Sequence, residues 1–326
     1  NHPYQEKTFH GVHILHQHDP EYKYGTFGQF IYDYNCIMDA RKRDFDIILQ
    51  LGYTSNSIWF FLMPKKPINI INMDGLEWKR TKYSKLVQKV LLFAERLAVK
   101  KSDFLIADSL GIQKYLWEKY QKESYYIAYG AYNFDNPNDE ILKQYNVEKE
   151  NFNMIMARFE PENNIEMVLD GVTLSENKMP ILVIGNHNTK YGIYLKNKFE
   201  SFSNIRFCGA IYNLDHLNSL RYYSNIYFHG HTVGGTNPSL LEAMASKALI
   251  ASHNNLFNKG ILRENAFYFS TSDEVKKILN TVKKSDNLQF IKNNYQAIAN
   301  DFNWEKINGD YLQLFEKCME QSSKRK

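Results

Sequence analysis

The segment most able to do chemistry is residues 229–246, HGHTVGGTNPSLLEAMAS. The apolar residues 226–228 predict a strand that leads into a loop with two adjacent glycines. Asn237 and Pro238 predict a helix start, because Asn is a favoured N-cap and Pro is favoured at the first helical position. Backbone N–H groups at such a start bind phosphate, and Glu242, one turn further on, is placed for a ribose hydroxyl. The pattern predicts a nucleotide-sugar site; an ordinary α/β loop is the alternative.

The composition limits the class of protein. A chain of 326 residues, 44% hydrophobic and 15% aromatic, is long enough for two α/β domains. A net charge of only +4 argues against nucleic-acid binding. Cys36, Cys208 and Cys318 form no close-spaced pair, which predicts reduced thiols. No signal peptide or membrane-spanning run is visible, so we expect a cytoplasmic protein, and the start at Asn1 predicts a first domain that lacks its beginning.

Short apolar runs alternate with helical patterns along the chain, which is typical of βαβ units and parallel sheets. In the first half the predicted strands are 12–15, 47–51, 68–71, 104–107 and 125–127, and the predicted helices are 28–41, 83–100 and 110–120. In the second half the predicted strands are 153–157, 181–184, 205–208, 226–229, 249–252 and 267–269. Residues 131–139, rich in Asn and Asp, predict the connection between two domains, and 301–320 predict a terminal helix.

Three motifs, in this order and spacing, carry a resemblance to a known family: NMDGLEWKR at 72–80, ARFEPENNI at 157–165, and HGHTVGGTNPSLLEAMA at 229–245. From residue 25 to about 304 the chain resembles retaining glycosyltransferases of family 4, most of all the bacterial rhamnosyltransferase-like branch of surface polysaccharide synthesis. The resemblance implies an α/β protein of GT-B architecture, with two Rossmann-like parallel-sheet domains facing each other across a cleft. It implies an acceptor-side domain at 1–135, a donor domain at 136–303 and a C-terminal helical segment at 304–326.

The resemblance also implies the reaction and its partners. A sugar, rhamnose or another hexose, would pass from a dTDP- or UDP-sugar to a glycan or a polyprenyl-diphosphate-linked acceptor, with retention of configuration. No Asp-x-Asp motif follows a first-domain strand, so we expect no essential metal and no cofactor. Two alternatives keep the fold: a nucleotide-sugar-binding protein without catalysis, and an epimerase.

The resemblance matches the family's donor-binding residues to positions of this sequence one by one. Arg158 matches the arginine that meets the diphosphate, and Glu242 matches the glutamate that binds the ribose. The family's other glutamate falls on Gly234 and its lysine on Asn163, and we expect His231, Thr236 or the missing N-terminal turn to compensate for the lost lysine. The expected catalytic residues are Asp74, Arg158 and Glu242. The expected donor-binding residues are Gly185, Ile211, Tyr212, His229, His231, Gly234, Gly235, Thr236, Asn237, Ser239 and Leu240.

The acceptor side is expected around residues 72–80. Asp74 stands where relatives often have an active-site histidine, and its carboxylate would orient an acceptor hydroxyl or bond the donor sugar without being an essential base. A turn or N-cap aspartate is the alternative. Trp78 offers a face for a sugar or lipid, or else packs in the core. The expected acceptor-side residues are Glu77, Trp78, Lys79 and Arg80.

The helix after this motif has an apolar stripe and an excess of cations. The stripe comprises Leu86, Val90, Phe93 and Leu97, at helical spacing, and we expect it to face the core. Glu95 alone opposes the cations Lys82, Lys85, Lys89, Arg96, Lys100 and Lys101. Such a helix is suited to bind an anionic membrane or a lipid-diphosphate acceptor, and the protein would then lie peripherally on the inner face of the membrane. The alternative is an ordinary solvated helix.

A metal-dependent hydrolase is the alternative from another class. His10, His13, His16 and His18 lie close together in the sequence beside Asp19, and His229 and His231 form a second pair. The spacing disfavours a site, because His13 and His16 would point to opposite faces of a strand.

Overall fold

The computed structural model describes residues 4–80 and 83–324. Its first half is a small parallel sheet with helices packed around it. The elements in chain order are β1 (Thr8–Phe9), β2 (Val12–His13), α1 (Glu21–Tyr24), α2 (Thr26–Ala40), β3 (Ile47–Gln50), β4 (Ile68–Met73), α3 (Lys85–Lys101), β5 (Phe104–Ala107), α4 (Leu110–Tyr120) and β6 (Tyr125–Tyr126). Short 3₁₀ helices lie at Asn56–Leu62 and Glu77–Lys79.

The second half repeats the strand–helix alternation. Its elements are α5 (Ile141–Tyr145), β7 (Asn153–Met156), α6 (Ile165–Leu174), β8 (Ile181–Ile184), α7 (Lys190–Lys198), β9 (Ile205–Gly209), α8 (Leu214–Tyr223), β10 (Tyr227–His229), α9 (Pro238–Ala245), β11 (Ile250–His253), α10 (Leu256–Leu262), β12 (Phe267–Phe269), α11 (Ser272–Thr281), α12 (Leu288–Asp301) and α13 (Trp304–Lys324). Further 3₁₀ helices lie at Pro161–Asn163 and Lys284–Asn287.

Both main sheets are parallel, as predicted. The first has the strand order β3-β4-β5-β6. Every residue of β4 is buried, including the polar Asn69 and Asn72, because helices cover both faces of a parallel sheet.

The second sheet has the order β12-β11-β10-β7-β8-β9. The chain builds outward from β7 to β9, then returns to the other side of β7 and builds outward again to β12. This is the doubly wound Rossmann order, and its topological switch point lies between β7 and β10. The carboxyl ends of β7 and β10 therefore border the crevice where such sheets bind ligands.

The predicted strand at 12–15 does not belong to the first sheet, so that prediction was wrong. Val12–His13 pairs instead with Thr8–Phe9 in an exposed antiparallel hairpin. His10 and Gly11 both have positive φ, which is the backbone of a tight two-residue hairpin turn. The turn folds the segment back on itself.

The terminal helix α13 returns to the first sheet. Its residues Ile307 and Leu314 share one buried cluster with Ile68 and Ile106. At its start Trp304 lies so close to Gly130 that a Cβ atom there would be 2.7 Å from the indole ring. The last helix thus joins the two halves, whereas the division at residues 135 and 303 stays a prediction.

The apolar stripe of α3 does not face the core, so that prediction was wrong. Leu86 is 74% exposed, Phe93 is 55% exposed and Val90 is also exposed. The core side of the helix is formed by another set, Leu91, Ala94, Ala98 and Val99. The cations Lys85, Lys89, Arg96 and Lys100 are exposed as well, and Lys82 lies outside the described residues. Within the described ranges, none of the helices has the length and apolar character that a membrane span requires.

Candidate functional site

A cavity of about 840 Å³ opens between the carboxyl ends of the two sheets. Asp74, Arg80 and Tyr129 line it from the first half. Arg158 and the histidine pair line it from the second half, at the switch point. The remaining predicted donor residues on its wall are Gly185, Ile211, Tyr212, Gly234, Gly235, Thr236, Asn237 and Ser239.

Arg158 follows β7 and is exposed to the cavity. Its carbonyl accepts a hydrogen bond of 2.7 Å from Nδ2 of Asn163, which fixes the turn. The Oδ1 of Asn163 lies 2.8 Å from Nδ1 of His231. Asn163, which stands where the resemblance implies a lysine, is thus committed to internal hydrogen bonds and brings no charge.

The two histidines of the loop are neutral at physiological pH. Burial lowers the pKa of His229 to about 3, with the charges of His231 and Arg221 adding to the effect. Burial also lowers the pKa of His231 to about 4, followed by the positive charges of Arg80 and Arg158. Nε2 of His229 is buried and has no hydrogen-bond partner among the described residues. It is a polar atom at the cavity wall that a ligand can satisfy.

Gly234 has a backbone conformation that excludes a glutamate. Its φ is +132°, a region that residues with side chains rarely adopt. A Cβ atom there would lie 3.2 Å from Nε2 of His231. The imidazole of His231 therefore takes up the space where a side chain at position 234 would start.

The start of α9 has its predicted cap but not the predicted free N–H groups. Asn237 is the N-cap, and its Oδ1 accepts from the backbone N–H of Ser239 at 3.0 Å. Pro238 has no N–H, and the N–H of Leu240 donates to the carbonyl of Asn237 at 3.0 Å. The first turn is therefore saturated, and an anion here must rely more on side chains. Leu240 itself is buried in the core and does not line the cavity.

Asp108, which follows β5, makes a contact across the cleft that the sequence analysis missed. Its Oδ2 accepts from the backbone N–H of Thr236 at 3.0 Å, and its carbonyl accepts from the Thr236 hydroxyl. A Cβ atom on Gly235 would lie 1.8 Å from Oδ1 of Asp108, so only glycine permits this approach. Thr236 is engaged by the first half of the chain rather than open to a ligand. The sequence signal that could have identified Asp108 is a polar residue directly after an apolar strand, as at Asp74.

Two neighbouring carboxyl groups lie deep in the cleft. Burial, and then the charge of Glu77, raises the pKa of Asp74 to about 6. Burial, and then the charge of Asp74, raises the pKa of Asp108 to about 8. Tyr129, which lines the same cavity, has a raised pKa because of burial and these two carboxyl groups. Asp108 therefore carries a proton near neutral pH while Asp74 is mostly ionised.

The predicted acceptor-side segment divides into two parts. Arg80 lines the cavity and forms a 2.7 Å ion pair with Glu77. Trp78 is turned away from it, because its Nε1 donates to the buried carboxylate of Glu95 at 2.9 Å. Lys79 lies over the Trp78 ring, 5.4 Å from its centroid. Glu77, Trp78 and Lys79 are not among the residues that line the cavity.

The opposite wall is formed by the ends of β8 and β9. Gly185 has φ +149°, and a Cβ atom there would lie 2.2 Å from the carbonyl of Ala157. Ile211 is partly buried, whereas Tyr212 is 91% exposed, so the ring of Tyr212 is not a core residue and is free to stack on a ligand.

Glu242 lies one turn inside α9, beyond the residues that line the cavity. Its Oε2 forms a 2.8 Å ion pair with Arg221, whose side chain is fully buried. The side chain of Glu242 is 32% exposed, whereas that of Arg221 is not exposed at all. The predicted bond to a ribose stays a prediction.

No group of three or more His, Cys, Asp or Glu side chains within residues 4–80 and 83–324 is arranged to hold a metal ion. His10 and His13 lie on the exposed hairpin, and Nε2 of His16 lies 2.9 Å from the carbonyl of Glu6. The hydrolase alternative thus lacks a ligand cluster in this part of the chain.

Residues 66–132 match a family described as a domain of unknown function, DUF1972. No curated protein sequence matches the chain. Among solved structures, HepE of Anabaena in complex with UDP-glucose is 14% identical, with a TM-score of 0.73 over 89% of this chain and 84% of its own. Sucrose-phosphate synthase of Thermosynechococcus elongatus is 15% identical, with a TM-score of 0.75 over 96% and 82%. A glycosyltransferase of Rickettsia africae is 14% identical, with a TM-score of 0.70 over 94% and 85%.

The chain has the GT-B fold. At identities of 14–15% the likeness shows the fold alone. In the GT-B fold the two Rossmann-like units meet with the carboxyl ends of their strands toward a common cleft, and the cavity described above lies in it. Sequence reasoning thus predicted the fold and the position of the cleft.

Proposed function

We propose that the protein is a glycosyltransferase that uses a nucleotide-sugar donor. The observation that carries the proposal is the cavity at the Rossmann switch point, which Arg158, Arg80, two neutral histidines and the carboxyl group of Asp74 line together. The fold is shared with HepE, a protein whose structure was solved with UDP-glucose, which supports this choice. More finely, we propose a retaining enzyme of family 4 in its rhamnosyltransferase-like branch.

The donor would be held by three kinds of contact. The guanidinium of Arg158 can bond two diphosphate oxygens and stabilise the leaving nucleoside diphosphate. The free oxygen of Glu242 would accept from a ribose hydroxyl. Tyr212 and Ile211 would lie against the nucleobase. The donor is proposed to be a dTDP- or UDP-sugar carrying rhamnose or another hexose.

The transfer step would exchange one bond at the anomeric carbon for another. The bond to the β-phosphate oxygen breaks, a bond to the acceptor hydroxyl oxygen forms on the same face, and the hydroxyl proton passes to the leaving phosphate. Asp74 would orient the acceptor hydroxyl. Positive charge from arginine neutralises the leaving group, so we propose that no resident metal or other cofactor is needed.

We further propose that the acceptor is a glycan or a polyprenyl-diphosphate-linked glycan at the inner face of the membrane, in bacterial surface polysaccharide synthesis. The exposed face of α3 supports the membrane part, because Leu86, Val90 and Phe93 lie beside Lys85 and Lys89. Apolar side chains enter the headgroup region while cations meet anionic lipid.

A vesicle flotation assay tests the membrane part. We expect the protein to float with phosphatidylglycerol vesicles at low salt and less with phosphatidylcholine. The variant Leu86→Ser/Phe93→Ser should bind more weakly, and Leu288→Ser, which changes another exposed leucine on α12, should bind like the wild type. Equal flotation of all variants would contradict a role for α3.

Thermal-shift measurements test the donor proposal. A ligand that binds only the native state raises the melting temperature. We expect UDP, dTDP or their sugars to do so and adenosine to have no effect. Because Glu242→Ala would leave the buried Arg221 without its ion pair, Glu242→Gln is the cleaner variant. It should weaken nucleotide binding, whereas Glu305→Ala on the exposed side of α13 should not. No shift with any nucleotide would overturn the proposal.

A nucleotide-sugar-binding protein without catalysis is the second candidate. It is favoured by Gly234 and Asn163, which stand where the resemblance implies a glutamate and a lysine. Release of nucleoside diphosphate from a donor sugar, measured with and without a membrane extract, separates the two, because a binding protein would release none.

A further inference from the structure

The charged groups that line the cavity come from both halves of the chain. Among the described residues on its wall, Arg158 and Arg80 carry a full positive charge. Arg158 follows β7 in the second half, and Arg80 follows the 3₁₀ helix Glu77–Lys79 in the first half. The diphosphate of a nucleotide sugar carries two negative charges, so one arginine leaves one charge without a partner.

Asn163 and His231, which line the cavity from the second half, do not supply that charge. The amide of Asn163 is used by the carbonyl of Arg158 and by His231. His231 is neutral, because burial and the two arginines lower its pKa to about 4. That both arginines act on one imidazole also indicates that Arg80 reaches the side of the cleft where Arg158 lies.

Arg80 is held in place and still has donors to spare. Its side chain is 14% exposed, and one terminal nitrogen forms the 2.7 Å pair with Glu77 Oε1. Its Nε is buried without a hydrogen-bond partner among the described residues. Its carbonyl accepts from Nε2 of Gln88 at 3.0 Å, which ties the backbone to α3. A guanidinium has five N–H donors, and the ion pair with Glu77 engages one terminal nitrogen of Arg80.

We propose that Arg80 is the second phosphate-binding residue of the site, and that the donor diphosphate bridges Arg80 and Arg158 from opposite sides of the cleft. The inference rests on the proposed function. Each arginine contributes charge-assisted hydrogen bonds to the same anion. Without the anion the two positive charges repel each other, so the ligand stabilises the closed cleft.

Isothermal titration of the full chain with UDP, dTDP and UMP at low salt tests the proposal. We expect Arg80→Gln to weaken diphosphate binding by about 10- to 100-fold, as expected for lost hydrogen bonds between charged groups. The effect on UMP should be smaller, because a monophosphate does not reach across the cleft. Arg80→Lys should recover part of the affinity. The control is Arg263→Gln, which removes another arginine paired to a carboxylate, Asp301, outside the cavity.

The outcomes separate the inference from the function on which it rests. If the wild type binds neither diphosphate, the proposed function fails and the inference with it. If the wild type binds and Arg80→Gln binds equally well, the inference is wrong and the proposed function stands. If Arg263→Gln loses as much diphosphate affinity as Arg80→Gln, the loss comes from the overall charge of the protein and the inference is wrong.

A second variant guards against a folding defect. Should Arg80→Gln fail to fold, Glu77→Gln decides, because it releases the guanidinium from its carboxylate while keeping the charge. Tighter diphosphate binding by Glu77→Gln is the expected result. Equal or weaker binding by a folded Glu77→Gln would overturn the inference.

Discussion

Asp108 and Asp74 show how the cleft changes the properties of single residues. Both follow buried strands of the first sheet, and both are enclosed when the second half of the chain covers them. Burial penalises the charged form, and each carboxylate repels the other. The result is one protonated and one ionised carboxyl group side by side near neutral pH.

Replacing Asp108 by Asn should change how stability depends on pH. The folded-state pKa of about 8 lies above the unfolded value, so this group's stabilisation is fully present below about pH 4 and is lost as pH rises through about 8. The melting temperature of the wild type should therefore fall from pH 6 to pH 9, and that of Asp108→Asn should fall less. Asp310→Asn, on α13, is the control. A wild-type slope in Asp108→Asn would contradict the assignment.

Replacing Asp74 by Asn should lower transfer but not donor binding. Loss of a charged hydrogen bond to the acceptor hydroxyl predicts a rate lower by about 10- to 100-fold. Because the ionised form does the orienting, the wild-type rate should rise with pH up to about 6 and then level off. Steady-state kinetics over pH 4.5–8, with UDP titration alongside, measure both. An equal loss of transfer and UDP binding would indicate a folding defect instead.

At the scale of elements, Glu95 connects α3 to its surroundings. Its buried carboxylate accepts from Trp78, from the hydroxyls of Tyr115 and Tyr120, and from Lys119 at 2.9 Å. These partners bring the 3₁₀ helix Glu77–Lys79 and α4 against α3. The acidic residue that balances the cations of α3 in the sequence is thus hidden from the surface, and the exposed face of α3 is left basic.

Replacing Glu95 by Ala should destabilise the fold. Removing one partner of a buried ion pair costs about 3–5 kcal/mol of the free energy of unfolding. Urea denaturation followed by circular dichroism measures this loss. Glu118→Ala, which removes an exposed glutamate from a 3.7 Å pair with Lys114, should change stability by less than about 1 kcal/mol. Similar losses in the two variants would contradict the role of Glu95.

How well each element could be predicted depends on whether its own residues determine its bounds and its buried face. The strands Phe104–Ala107, Ile181–Ile184 and Phe267–Phe269 have the predicted bounds, because each is a short run rich in β-branched and aromatic residues. The helix α3 was predicted within two residues at each end, but its faces were assigned wrongly. It has two apolar stripes, and the small residues Ala94 and Ala98 pack against the rest of the domain. Periodicity alone cannot choose between two stripes.

For the site, the limit is set by distance along the chain. Arg158, His229 and His231 lie at strand ends that the alternation of elements predicted. The contact of Asp108 with Thr236 joins residues 128 positions apart, and it depends on how the two halves are placed. The place of Arg80 in the cavity depends on the same arrangement. The local spacing of residues does not predict such long-range contacts.

At the scale of the whole molecule, the two halves meet where side chains are missing. Gly75 lies near Gly234, since a Cβ atom on Gly75 would be 3.7 Å from the Cα of Gly234. A Cβ atom on Gly111 of α4 would be 2.7 Å from the ring of Phe257 in α10. With Gly235 against Asp108 and Gly130 against Trp304, glycines mark four points of close approach between the two halves.

Replacing Gly235 by Ala should open the cleft. The new Cβ would lie 1.8 Å from Oδ1 of Asp108, so this carboxylate must move, which breaks its hydrogen bond to the N–H of Thr236 and weakens the contact between the halves. Nucleotide affinity should fall, and small-angle scattering should show a larger radius of gyration. Asp108→Ala in the same chain should restore both values in part. Gly260→Ala, where a Cβ meets nothing within 4 Å, is the control; a wild-type cleft in Gly235→Ala would contradict the proposed steric effect.

The saturated first turn of α9 has a consequence for how the cleft can evolve. A cradle made of free backbone N–H groups tolerates most substitutions, because every residue except proline has the same N–H group. In this chain Asn237 caps the N–H of Ser239, and Pro238 has no N–H. The preference of the cleft for phosphate therefore depends on side chains, which mutations can replace. A few point mutations can then redirect the cleft to another class of ligand without any loop being rebuilt.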